Sequence, residues 1–131
     1  MRYDLGALAL RGEVANVSIP DAGAINTRYG GAVGKRLAGA YAEAAVNVLH
    51  WLAPATTQKL SVFARHERFD TQASVAPGTV RDLTLDRRVT TFGLTYKPTW
   101  NTAFKGDYQI ERNAAGTGEG EVMSLGIGFQ F

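Results

Sequence analysis

The sequence contains no cysteine, which removes disulfide scaffolds, thiolate-ligated metal or cluster sites and a cysteine nucleophile together. No apolar run approaches the roughly 18 residues of a membrane-spanning helix. No cationic start, apolar stretch and small-residue cleavage site follows Met1, so no signal peptide is read there. Neither sign of charge dominates: 14 Lys and Arg face 12 Asp and Glu, and +2 is no nucleic-acid footprint. Collagen and coiled-coil readings fail, because no three- or seven-residue period is present. What remains is 131 residues, one domain's worth or a piece of a larger one, with 15 Gly. That glycine content exceeds the usual ~7% and favours turns and closely approaching strands.

The clearest pattern lies at residues 121–131. Met123, Leu125, Ile127, Phe129 and Phe131 alternate with Ser124, Gly126, Gly128 and Gln130, a period of two that only a strand places on one face. Residues 102–111 repeat it, with Phe104, Gly106, Tyr108 and Ile110 opposite Lys105, Asp107, Gln109 and Glu111. In 90–97, Thr90, Phe92, Leu94 and Tyr96 alternate with Thr91, Gly93, Thr95 and Lys97. Further strands are expected at 59–70, with Arg65 and Glu67 on one face, and at 3–14, with Leu8 and Leu10 opposite Arg11 and Glu13.

Residues 37–52 allow two readings. The spacing of Leu37, Tyr41, Ala45, Val48 and Leu52 suits an amphipathic helix. Period two works as well, with Ala38, Ala40, Ala42, Ala44, Val46 and Val48 opposite Tyr41, Glu43 and Asn47. Neighbouring strands on the chain favour strand.

The expected fold is therefore all-β, an antiparallel up-and-down meander of about six strands. Strands of about ten residues are long enough to cross a bilayer at a tilt. The expected links alternate in length: 16–34 long, 53–58 short, 71–88 long, 98–101 short, 112–120 long. Outer-membrane barrels show this asymmetry, with short periplasmic turns and longer extracellular loops. The faces agree, since lipid demands an apolar outside and a water-filled lumen tolerates charge. On that assignment Arg11, Arg65, Lys97 and Lys105 line the lumen with Glu13, Glu43, Glu67 and Asp107, four cations against four carboxylates. Such a balance points to cross-strand pairing rather than anion selectivity. Tyr96, Trp100, Phe129 and Phe131 are expected together at the periplasmic rim as an aromatic girdle.

Other motifs carry no chemistry. Residues 29–36, YGGAVGKR, fail as a phosphate loop, because Tyr29 and Arg36 stand where Gly and Ser or Thr are needed. His66-Glu67 lacks a second His at Asp70 for a zincin helix, and His50 and His66 are too isolated to hold a metal, leaving rim or lumen lining. Asn16-Val17-Ser18 is a glycosylation sequon only in a secretory eukaryotic context. No catalytic residues, cofactor, metal or nucleic-acid partner is assigned.

These residues reach a family resemblance. EVMSLGIGFQF, with its apolar alternation and terminal Phe131, resembles the C-terminal assembly signal of bacterial outer-membrane proteins. SVFARHERFDT and RVTTFGLTYKPTWNTAFKGDYQIE resemble the last strands of the phosphate-selective (O/P-type) porins, where an aromatic-x-Arg-x-Glu strand precedes a Gly-Leu-x-Tyr-x-Pro hairpin. The resemblance covers residues 58–131 and is thin over 1–57. It implies a homotrimer of 16-stranded channels in the bacterial outer membrane, passing small hydrophilic solutes or anions such as phosphate. Its partners would be outer-membrane lipid, lipopolysaccharide and the barrel assembly machinery. It also implies a signal peptide and N-terminal strands, so the chain is expected to be the C-terminal part of a longer porin. The alternatives are a non-channel outer-membrane barrel, serving as anchor or adhesin, and a soluble β-barrel binding an apolar ligand.

Overall fold

The computed structural model describes all residues 1–131. Seven strands follow one another in a single antiparallel sheet: β1 (Arg2–Leu5), β2 (Leu8–Ser18), β3 (Arg36–Asn47), β4 (Lys59–Ser74), β5 (Asp86–Lys97), β6 (Thr102–Asn113) and β7 (Gly120–Phe129). Helices α1 (Ala22–Tyr29) and α2 (Leu49–Leu52) sit in two of the links. The sheet is open, with β1 and β7 as its edges.

The architecture is the expected meander with one more strand. Gly6, at φ 62°, occupies the left-handed region that glycine enters without a Cβ penalty, and it splits the expected 3–14 strand into a β1–β2 hairpin. Period two wins over 36–47, where β3 pairs with both neighbours; the helical spacing survives only in the four residues of α2. The expected loop 16–34 contains α1, closed by Gly30, whose N–H donates to Asn26 O at 2.9 Å. The links are less regular than expected. At one end they span two, 11 and four residues (6–7, 48–58, 98–101), and at the other 17, 11 and six (19–35, 75–85, 114–119). Strands run on into the polar segments because ladder hydrogen bonds use backbone groups, whatever the side chains are.

Register aligns side chains into rows across the sheet. Leu8, Val46, Val62, Leu94, Gly106 and Leu125 form one row, and Leu10, Ala44, Ala64, Phe92, Tyr108 and Met123 the next. Leu60, Tyr96, Phe104 and Ile127 make a third row on the same face. None of these three rows contains Asp, Glu, Lys, Arg or His. Along β4 and β5 this face is the more exposed one, and we refer to it as the outer face; the inner-face Val89 and Thr91 are buried.

Packing does not supply a core. Only Ala22, Ala76 and Val89 are buried hydrophobics, while Leu125 is 80% exposed and Phe92 51%. A single sheet must cover its apolar face with another layer or with lipid. Close packing occurs instead on the inner face: Phe63 lies over its cross-strand partner Gly93, where a Cβ would meet Phe63 Cζ and Gly106 O at 2.6 Å.

Candidate functional site

The inner face carries the chemistry. Strand parity and register put Arg11, Glu13, Glu43, Arg65, Glu67, Lys97, Lys105 and Asp107 all on it. Its centre is charge-paired. Arg11 meets its cross-strand partner Glu43 at 3.3 Å, and Lys105 meets Asp107 at 3.4 Å. Arg65 pairs with Glu67 two residues on and lies over the Tyr41 ring, 4.2 Å from its centroid. Nearer the longer links, Arg87 pairs with Glu111.

Toward the β1–β2 and β5–β6 turns the inner face hollows into a trough of about 490 Å³. Arg2, Arg11, Lys59, Lys97 and Lys105 line it against only two carboxylates, Asp4 and Glu43. Asp4 is bound by Arg2 at 2.9 Å and Glu43 by Arg11, so neither is free. Lys59 and Lys97 are direct cross-strand partners, and neither makes an ion pair. Like charges opposite one another are unfavourable, and an anion between them relieves the repulsion. The four-against-four balance read from the sequence therefore conceals a local positive excess. Lys59 and Arg2 were missed there. Lys59 shares parity with Arg65 and was legible; Arg2 needed the Gly6 turn to bring it back beside β2.

The aromatic residues gather at the same end. Trp51 and Trp100 lie exposed in the links, Tyr96 stacks on Phe104 with centroids 6.5 Å apart, and Phe129 sits opposite Thr102. Gln130 N donates to Asn101 O at 2.9 Å, holding the chain end, with Phe131, beside the β5–β6 turn. Met123, Leu125, Ile127 and Phe129 project from the outer face of edge strand β7. His66 was expected at a rim or in a lumen; it is on the outer face, where its Nδ1 meets Thr90 Oγ1 at 2.9 Å.

At the opposite end a polar network ties the links together. Arg68 grips the buried Asp86 through two hydrogen bonds, Nε at 2.9 Å and Nη2 at 2.7 Å, and Arg81 pairs with Asp70. The buried Gln72 side chain donates to Ala32 O and accepts from Asp82 N, joining the link before β3 to that before β5. The Arg68 hydrogen bond holds the Asp86 carboxyl below its ordinary 3.8 despite burial. A depressed carboxylate stabilises the fold above its unfolded pKa, and that stability is lost as pH falls through the folded value. Asp86→Asn is therefore expected to loosen this end at neutral pH. Its deficit against wild type should close below pH 3.8, as hydrogen exchange of the 75–85 amides would show. A deficit independent of pH would refute the linkage.

Comparison with known proteins adds one relative. An Aquifex aeolicus (strain VF5) protein named "Uncharacterized protein" is 38% identical over 77 residues, 59% of this chain and 17% of that protein. The chain thus spans less than a fifth of that relative's length. No family model matches the chain, and no solved structure matches it significantly.

Proposed function

We propose that this sheet is a sector of a bacterial outer-membrane porin, its outer face against lipid and its inner face lining a passive, water-filled channel for small hydrophilic solutes or anions such as phosphate. One observation carries the reading: three consecutive rows of outer-face side chains without a charge, back to back with an inner face of paired and unpaired charges. A ligand-enclosing soluble barrel would turn these faces the other way.

Within the channel, the Lys59–Lys97 trough would favour anions at the short-link mouth. The test is planar-bilayer conductance of the closed barrel containing this sheet, wild type against Lys59→Glu/Lys97→Glu. Open, ohmic channels are expected, with the anion-to-cation permeability ratio falling about tenfold in the double variant, the scale of electrostatic focusing in a narrow cleft. A closed barrel that does not conduct overturns the channel and leaves the anchor or adhesin role.

A further inference from the structure

Register creates one arrangement that the channel reading leaves unused. Arg68, Arg88 and Arg112 are successive cross-strand partners on β4, β5 and β6, so three guanidinium side chains stand in one row on the outer face. Adjacent strands are about 4.8 Å apart, and like charges in direct opposition are unfavourable. One row, His66, Thr90 and Ile110, separates it from the charge-free rows.

The nearby acids do not cover it. Asp86 and Asp70 are buried, bound by Arg68 and Arg81. Glu119 pairs with Arg112, and Glu121 lies one strand away on β7, a row closer to the band. Arg68 and Arg112 remain more than half exposed despite their pairs, and Arg88 has no ion pair at all. Cations therefore face outward, with two of the carboxylates tucked behind.

We propose that this row is a docking site for an anionic, phosphate-bearing membrane lipid of the lipid A kind. Its phosphates meet Arg68, Arg88 and Arg112, and its acyl chains lie on the apolar rows of β4 to β6. The proposal rests on the membrane reading, which turns this face toward lipid. Planar guanidinium groups fit phosphate oxygens through paired N–H donors. A zwitterionic headgroup brings its own cation and leaves Arg88 uncompensated; a phosphorylated one supplies the missing charge and reaches the exposed N–H groups of Arg68 and Arg112.

The test uses the closed barrel containing this sheet, refolded into phosphatidylcholine vesicles, with and without spin-labelled bis-phosphorylated lipid A or its dephosphorylated form. Insertion is read by flotation after a urea wash, and lipid association by the immobilised fraction of the label. Wild type is expected to insert and to immobilise the phosphorylated lipid in preference to the dephosphorylated one. Arg88→Gln removes the one cation of the row that holds no ion-pair partner. It should insert equally and lose about fivefold of that preference, the effect of one cation near an anionic lipid surface. Arg88→Lys should keep most of it. Normal insertion with equal immobilisation of both lipids, or an unaltered preference in Arg88→Gln, overturns the site alone. Failure of wild type to insert overturns the membrane reading and the site with it.

Discussion

On the membrane reading, Leu125→Arg should weaken folding into lipid of the closed barrel containing this sheet roughly thirty- to several-hundredfold, whereas Ser124→Arg, one residue away, should leave it intact. Leu125 lies mid-strand on the outer face of β7, 80% exposed, in the row of Val62 and Leu94. Ser124 projects from the inner face opposite Asp107, where an arginine gains a carboxylate partner. Adjacent strand residues point to opposite faces, so a shift of one position moves the charge from lipid to water. An arginine at the bilayer midplane of a barrel costs about 2–4 kcal/mol, roughly a thirty- to several-hundredfold change in the folding equilibrium. Urea titration of folding in phosphatidylcholine vesicles measures it. A soluble sheet predicts the reverse, since Leu125→Arg would remove exposed apolar surface and improve solubility. Equal behaviour of the two variants would also refute the face assignment.

The second large effect concerns closure. In an up-and-down meander of seven strands, β1 and β7 run in the same direction. Joining these edges, within one chain or head-to-tail between copies, would introduce a parallel pair into an otherwise antiparallel sheet. Bacterial single-chain barrels have even strand numbers, and under the proposed porin reading that parity requires an odd number of added strands. The isolated chain is therefore expected to give no stable unitary conductance and no heat-resistant folded band in detergent gels. The natural absence of cysteine makes a clean cross-linking test available. In membranes, Tyr3→Cys/Ile127→Cys should form no β1-to-β7 disulfide within or between copies. A polypeptide adding an odd number of strands should gain both heat resistance and conductance. An efficient β1–β7 disulfide with a discrete oligomer would show that copies close a barrel together, against this expectation.

Much of the fold was legible because a strand's side-chain period is local. The alternation of Phe92, Leu94 and Tyr96, of Phe104, Tyr108 and Ile110, and of Met123 to Phe129 assigned faces without any knowledge of neighbours. The eight charged residues read from parity share one face for the same reason. Strand ends were less legible. β4 continues four residues past Asp70, since its backbone still pairs with Arg36 of β3 and Ser74 O accepts from Lys35 N, while Asp70 and Gln72 become buried and hydrogen-bonded. The first strand was misread as single because Gly6, a lone glycine among alternating residues, gives no local sign of a hairpin.

By itself, then, the sequence determined the all-β class, the up-and-down order and the segregation of charge from apolar surface, all consequences of short-range periodicity and turn chemistry. The tertiary structure decided which residues of different strands stand side by side. That choice depends on register, which is summed over whole strand pairs and recorded in no single segment. Lys59 meets Lys97, and Arg68, Arg88 and Arg112 form one row, only because β4, β5 and β6 pair at one offset; a slip of one residue would have turned each set to the opposite face.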